Sequence, residues 1–137
     1  MTTHVDAPAQ DVWRLFVDVE RWPELTESMR KVSRVDSGPL RVGSEALIKQ
    51  PGLARARWKV TELDPGRSFI WETTAVGVTS VGGHLVEPGD DGSTITLSLR
   101  QTGPLARLVG WLLGSRINCY LTMELEGFRH GAESGRG

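Results

Sequence analysis

Cysteine is almost absent from this sequence, because Cys119 is the only one among 137 residues. A single thiol excludes an internal disulfide framework and a zinc site built on cysteine pairs. Histidine is scarce as well: His4, His84 and His130 show no metal-ligand spacing. We therefore expect no metal site and no cofactor.

The sequence also lacks an excess of charge of either sign. Its 16 basic and 17 acidic side chains give a formal net charge of −1. A nucleic-acid interface needs a strong basic excess, which displaces counterions from the phosphates. We therefore expect no nucleic-acid partner.

No hydrophobic run is long enough to cross a membrane. The uncharged stretch 108–115 is far shorter than the roughly 20 residues that a spanning helix needs. Residues 1–10 lack the basic start and the apolar stretch of a signal peptide. These features predict a cytoplasmic protein without a membrane span, and they leave its oligomeric state open.

Common catalytic motifs are missing too. The segment 110–116 has glycines and an arginine but neither the lysine nor the preceding strand of a phosphate-binding loop. The sequence contains no Gly-x-Ser-x-Gly motif, and Cys119 has no histidine placed to activate it. No enzyme class follows from motifs alone.

The sequence does contain a clear change of hydrophobic period along the chain. Apolar side chains recur at helical spacing over residues 8–19, with Pro8 suited to the first helical position, and a second short helix is predicted over 23–28. From Lys31 to Gln101 the period falls to two, between glycine and proline turns, which is typical of short strands. The predicted strands are 2–6, 30–36, 44–50, 54–63, 67–75, 78–87 and 93–102.

A long C-terminal helix completes the pattern, predicted over about 104–130. Turns at 64–67 and 89–92 favour hairpins, and hence an antiparallel meander. A seven-stranded antiparallel sheet cannot bury its apolar face alone, and this helix is the one element long enough to cover it. The sequence predicts one α+β domain over 1–130, with 131–137 as a frayed tail.

Short motifs follow one another along nearly the whole chain in a characteristic order. They are Ala7-Pro8, Val12-Trp13, Asp18 to Pro23, Gly43-Ser44, Gln50 to Gly52, Trp58 to Gly66, Phe69 to Glu72, His84 to Pro88 and Gly103 to Leu105. In this order they resemble the polyketide cyclase/dehydrase-like branch of the START-like helix-grip superfamily. The resemblance implies a curved seven-stranded antiparallel sheet wrapped around a long C-terminal helix, with two short helices after the first strand. The superfamily includes lipid carriers, hormone receptors and aromatic cyclases, so the resemblance alone does not select a function.

A sheet that wraps a helix leaves an apolar cleft between them, which is a common form of small-molecule site. Strand parity and helical spacing direct six side chains of suitable chemistry into this cleft. We predict that they bind the ligand: Trp58, Trp71, His84, Gln101, Tyr120 and Glu124.

Five of these six residues also have a purely structural interpretation. His84 is either a general acid or base or a core histidine bonded to backbone or a carboxylate. Glu124 lies on an apolar stripe, where a carboxylate is either paired or raised in pKa. It either pairs with an arginine or a tryptophan N–H, or serves as a polar anchor for a ligand hydroxyl or an acid/base partner of His84. Tyr120 either orients a ligand or packs and bonds to backbone. Trp58 and Trp71 form either a wall for an aromatic ring system or ordinary core.

Three functions remain open at this point. The first is binding of a hydrophobic or aromatic small molecule, polyketide-like or lipid-like. The second is a cyclase or dehydratase that moves a proton with His84 or Glu124. The third is an interaction domain whose cleft is filled by large side chains.

Overall fold

The computed structural model describes residues 1–75 and 77–135, and its elements follow the predicted order. A short strand comes first, then two helices separated by a 3-10 turn, six strands and a long helix. The elements are β1 Thr2–Val5, α1 Ala9–Val17, α2 Trp22–Leu25, β2 Lys31–Arg34, β3 Glu45–Lys49, β4 Ala56–Asp64, β5 Ser68–Ala75, β6 Val78–Gly89, β7 Gly92–Thr102 and α3 Ala106–Glu133.

The two short helices are shorter than predicted. The 3-10 turn Val19–Arg21 takes up the end of the first predicted helix. The second ends at Leu25, because Thr26 is extended, with φ −147° and ψ 136°. The hydroxyls of Thr26 and Ser28 then bond to each other at 2.8 Å, which favours a turn over another helical residue.

The long helix α3 is displaced toward the C-terminus relative to its prediction. It begins at Ala106 rather than at 104, and it ends at Glu133 rather than at 130. Gly131 and Ala132, which the sequence assigns to a frayed tail, are buried in its last turn. Residues 136 and 137 of that predicted tail lie outside the described residues. Within the described ranges, no helix has both the length and the apolar character that crossing a bilayer requires.

The sheet has seven antiparallel strands in the order β1-β7-β6-β5-β4-β3-β2. Both predicted hairpins are present: Asp64 pairs with Ser68, and Gly89 pairs with Gly92. Strand β1 lies at one edge of the sheet, where it pairs with β7. The predicted α+β helix-grip class, with α3 against the concave face of an open sheet, is confirmed.

An aromatic core fills one end of the space between the sheet and α3. Phe16 of α1 and Phe128 of α3 meet edge to face, with ring centroids 5.0 Å apart. Trp22 packs 5.3 Å from Phe128, and its indole N–H donates to the carbonyl of Leu15 at 2.9 Å. The buried indole N–H is thus satisfied, and α1, α2 and the C-terminal end of α3 form one packed unit.

The two halves of α3 have different surroundings. Its buried residues run from Glu124 to Ala132. There, Gly127 lies so close to α2 that an added Cβ would overlap the carbonyl oxygen of Leu25. Near the other end, a Cβ on Gly114 would meet nothing within 4 Å. The helix is therefore held tightly at its C-terminal end and leaves space beneath its N-terminal half.

Candidate functional site

A cavity of about 300 Å³ lies between the sheet and residues 109–124 of α3. Its wall is mostly apolar, and it includes all six residues that the sequence predicted for the site. The sheet contributes Ile48, Ala56, Trp58, Trp71, Thr73, Ser80, Gly82, His84, Leu99 and Gln101, and α3 contributes Val109, Leu113, Ile117, Tyr120, Leu121 and Glu124.

Two indole rings form one side of the cavity. Trp58 on β4 and Trp71 on β5 have ring centroids 5.7 Å apart and planes inclined at 38°, so the wall is angled rather than flat. Gly82 pairs with Trp71 across the sheet, and a Cβ there would lie 3.3 Å from the Trp71 indole. The absence of a side chain at Gly82 leaves room for the rings to lie over the strand.

His84 lies at the buried end of the cavity, among aromatic rings. Its imidazole stacks on Phe69, and the ring centroid of Trp22 is 5.2 Å away. Its Nδ1 is buried and has no hydrogen-bond partner in the described part of the chain. Burial lowers the pKa of His84 to about 3. A hydrogen bond with the backbone of Phe69 acts in the opposite direction but offsets only part of this effect. His84 is therefore a neutral imidazole at physiological pH, with one unpartnered nitrogen.

Glu124 faces the cavity from α3. The side chain is buried, and among the described residues nothing donates a hydrogen bond to its carboxyl group or forms an ion pair with it. Burial raises the pKa of Glu124 to about 8. The structural interpretation of Glu124, pairing with an arginine or a tryptophan N–H, is therefore wrong for the described residues. Glu124 is a neutral carboxylic acid near pH 7, with an O–H free to donate.

The two remaining polar side chains are already bonded to the protein. Tyr120 donates its hydroxyl to the carbonyl of Pro51, in the loop between β3 and β4. Gln101 donates its side-chain N–H to the hydroxyl of Ser80 on the neighbouring strand, at 3.2 Å. Both residues line the cavity, but their hydrogen bonds hold its walls together.

The structure adds wall residues that strand parity did not reveal. Leu53 and Ala54 reach the cavity from the loop that Tyr120 anchors, and Met29 reaches it from the segment after α2. No periodic signal marks residues in such loops. Two hydrogen bonds bring this loop to the helix: Tyr120 to Pro51 and Arg116 to Gly52, which join positions 69 and 64 residues apart.

The predicted apolar stripe of α3 was too wide. The helical spacing of its apolar residues predicts one buried stripe that includes Leu105, Leu108 and Leu112 together with Val109 and Leu113. In the structure the first three are exposed, whereas Val109 and Leu113 line the cavity. The helix is apolar on more sides than the sheet covers.

Within residues 1–75 and 77–135, no three histidine, cysteine, aspartate or glutamate side chains are grouped to hold a metal ion. Glu124 and His84 are the two ionisable groups of the cavity with strongly shifted pKa values. The chemistry available in the cavity is therefore hydrogen bonding and proton transfer by these groups, against aromatic walls.

The fold and cavity define the class of this protein. The chain belongs to the family described as "Polyketide cyclase / dehydrase and lipid transport", whose sequence model matches residues 1–129. A search of curated proteins found no match.

Several solved structures share this fold. The hypothetical protein jhp0584 from Helicobacter pylori is 14% identical, with a TM-score of 0.81, over 96% of this chain and 84% of that one. The di-domain ARO/CYC StfQ from the steffimycin biosynthetic pathway is 13% identical, with a TM-score of 0.78, over 100% of this chain and 50% of that one. The di-domain ARO/CYC BexL from the BE-7585A biosynthetic pathway is 20% identical, with a TM-score of 0.73, over 97% and 45%. The chain thus spans about half of each di-domain protein.

Proposed function

We propose that this protein binds a hydrophobic or aromatic small molecule, polyketide-like or lipid-like, in the cavity between the sheet and α3. The observation that carries the proposal is an apolar cavity of about 300 Å³ whose wall includes two buried polar side chains, His84 and Glu124. An engineered apolar cavity of about 150 Å³ holds a benzene molecule, so this one has room for about two or three fused rings. An interaction domain with a filled interior does not fit such a space.

The polar groups define the kind of ligand. The neutral Glu124 is suited to donate a hydrogen bond to a carbonyl or hydroxyl oxygen of the ligand. The neutral imidazole of His84, which is also part of the wall, offers a second polar contact. No lysine or arginine occurs among the described residues that line the cavity. A neutral ring compound with two polar groups therefore fits better than a fatty acid, whose carboxylate would be buried without a counterion.

The walls are suited to a flat ligand. Trp58 and Trp71 offer indole faces against which an aromatic ring system packs. Trp58 is half-buried and the more accessible of the two, whereas Trp71 is buried. We expect Trp58 to supply most of the contact area and Trp71 to support it.

A binding experiment tests this function. The neutral dye N-phenyl-1-naphthylamine and a tricyclic aromatic ketone should bind and raise the melting temperature, because a ligand of the native state stabilises it by mass action. Ala56→Phe places a ring in the cavity and should abolish binding. Arg57→Phe places the same ring on the outer face of β4 and is the matched control. Equal binding by both variants, or no binding by the unmodified protein, would contradict the proposal.

A second candidate function is catalysis of the cyclase or dehydratase type. Glu124 favours it, because an acid with a pKa of about 8 holds its proton at neutral pH and can transfer it to a carbonyl oxygen. His84, with a pKa of about 3, is a much weaker base and is better suited to orientation. The similarity in fold to StfQ and BexL also makes polyketide chains reasonable test substrates.

Glu124→Gln separates the two functions. The amide keeps the shape and a hydrogen-bond donor but has no transferable proton. If the protein only binds, dye affinity should change by a few fold. If it is an enzyme, single-turnover cyclisation of a poly-β-ketone substrate should slow by at least about a hundredfold while binding persists.

A further inference from the structure

The N-terminal half of α3 has an exposed apolar face. Trp111 is 81% exposed and Leu112 is 62% exposed, and Leu105 and Leu108 are also exposed. We call these four residues the outer face of α3. Large apolar side chains grouped on one exposed surface are characteristic of interaction sites rather than of ordinary protein surface.

The same segment lines the cavity with its other side. Val109, Leu113 and Ile117 are cavity residues. At about 100° per residue, they lie on the side of the helix opposite Trp111 and Leu108. Leu105 and Leu112 lie between these two sides, four and three residues from Val109. The outer face therefore extends from the side opposite the cavity to the edge of the side that covers it.

The charged residues in the sequence around the outer face are all positive. Residues 92–123 contain Arg100, Arg107 and Arg116 and no aspartate or glutamate. Arg107 and Arg116 are both exposed, and helical spacing places them on opposite margins of the outer face. Tryptophan and arginine are the side chains that bridge the apolar and polar layers at a membrane surface. The outer face therefore combines apolar area with a rim complementary to lipid phosphates.

We propose that the outer face of α3 docks on an anionic lipid bilayer. Trp111 and Leu112 enter the headgroup region, and Arg107 and Arg116 contact lipid phosphates. Docking brings the helix that covers the cavity to a surface from which apolar compounds can be taken up or released. The proposal concerns the surface alone and holds whatever the cavity contains.

A second copy of this chain fits the outer face less well. A tryptophan contributes at most about 250 Å² of contact area. Together with three partly exposed leucines, it falls short of the roughly 800 Å² per partner in a standard interface. Pairing two such faces would also bring together two segments that each carry three arginines and no acid.

Vesicle flotation tests the proposal with the unliganded full chain. Vesicles of phosphatidylcholine and phosphatidylglycerol at 3:1 should bind the protein, and pure phosphatidylcholine should bind it at least about tenfold more weakly, with the difference shrinking at high salt. Trp111→Ser should weaken binding to anionic vesicles by at least about tenfold. Arg107→Gln should weaken it about fivefold, the ratio expected for one basic contact with an anionic surface.

The chain offers a matched control. Val42 is 60% exposed in the segment between β2 and β3, so Val42→Ser removes a similarly exposed apolar side chain from another surface. It should leave vesicle binding unchanged. Circular dichroism should show that every variant is folded, and Leu112→Ser replaces Trp111→Ser if that variant is not.

Three results would overturn the proposal. The first is no binding to anionic vesicles. The second is equal binding by the unmodified protein and by Trp111→Ser or its replacement. The third is a concentration-dependent dimer that Trp111→Ser abolishes, in a protein that leaves vesicles unbound, since a second copy would then be the occupant of the outer face.

Discussion

The imidazole of His84 lies flat against the phenyl ring of Phe69, with ring centroids 4.2 Å apart and planes 10° from parallel. Because burial lowers the pKa of His84 from 6.5 to about 3, the unfolded chain takes up a proton at a pH where the native state does not. The stability that this difference provides is complete above pH 6.5 and is lost as the pH falls toward 3. Between pH 7.5 and 5 the loss is about 2 kcal/mol, at 1.36 kcal/mol per pH unit of differential titration.

His84→Phe should abolish this acid sensitivity. The phenyl ring keeps the stack on Phe69 and removes a buried nitrogen that has no partner, so the free energy of unfolding at pH 7.5 should be unchanged or about 1 kcal/mol higher. At pH 5 the free energy of unfolding of the variant should exceed that of the unmodified protein by about 2 kcal/mol more than it does at pH 7.5. Urea denaturation at both pH values measures it.

His84→Ala is the companion variant, because it removes the nitrogen and the ring together. It should lose about 2–4 kcal/mol at pH 7.5, since it leaves a void among the aromatic rings. If His84→Phe were as unstable as His84→Ala at pH 7.5, the hydrogen bond between the imidazole and the backbone of Phe69, which a phenyl ring cannot form, would be essential to stability.

Glu124 has the opposite pH dependence. Burial raises its pKa from 4.5 to about 8, so the unfolded chain releases a proton that the native state retains. This contribution to stability is complete below pH 4.5 and is lost as the pH rises to 8, by about 3 kcal/mol between pH 5 and pH 8. Between pH 5 and pH 8, the free energy of unfolding of Glu124→Gln should therefore fall by about 3 kcal/mol less than that of the unmodified protein. Between pH 4.5 and 6.5 the slopes from Glu124 and His84 have opposite signs and nearly cancel. Parallel stability curves for Glu124→Gln and the unmodified protein over pH 5–8 would show that Glu124 ionises normally.

Two glycines of α3 should respond in opposite directions to the same substitution. Gly127→Ala places a methyl group against the Leu25 carbonyl, which belongs to rigid backbone, so it should destabilise the protein by about 2–4 kcal/mol. Gly114→Ala adds a methyl group where nothing lies within 4 Å, and it should stabilise the protein by about 0.5–1 kcal/mol through helix propensity. Chemical denaturation of both variants gives the comparison. Equal effects would mean that α3 is not held against α2 at Gly127.

The sheet was the most predictable part of this protein. Its strands alternate apolar and polar residues, and their ends carry glycine or proline, so each strand end lies within a few residues of the predicted one. The hairpin at 64–67 followed directly from Asp64, Pro65 and Gly66. These signals depend only on neighbouring residues, so they can be recognised in the sequence without knowledge of the fold.

The cavity was less predictable, because its extent depends on long-range packing. Val60 and Phe69 share the strand parity of the wall residues Trp58 and Trp71, but the structure places both in the filled core. Whether an inward side chain meets another side chain or empty space is decided by how far α3 lies from the sheet. That distance is set by Gly127 against Leu25, two residues 102 positions apart whose contact no periodicity indicates.

The two tryptophans of the cavity wall should separate stability from binding. Trp71 is buried against Trp22 and Phe69, with ring centroids 5.2 and 5.3 Å away, so Trp71→Ala should cost about 3–5 kcal/mol of stability. Trp58 is half-buried, so Trp58→Ala should cost less than about 2 kcal/mol while lowering dye affinity at least about tenfold. Urea denaturation and dye titration measure the two effects. Unchanged dye affinity in Trp58→Ala would exclude this indole from the binding surface.

Tyr120→Phe should affect the dissociation rate of a ligand more than the stability of the protein. The Tyr120 hydroxyl donates to the Pro51 carbonyl and so holds the loop that brings Leu53 to the cavity wall. Loss of one hydrogen bond should cost about 0.5–1.5 kcal/mol of stability. A less firmly held wall should increase the rate of dye dissociation by a few fold, measured by stopped-flow displacement, and leave the association rate nearly unchanged. Arg116→Gln is the matched control, because the guanidinium contacts the next carbonyl of the same loop, that of Gly52, through a longer exposed bond of 3.4 Å. If both variants released the dye as slowly as the unmodified protein, the loop would not limit exit, and the ligand would leave past another part of the wall.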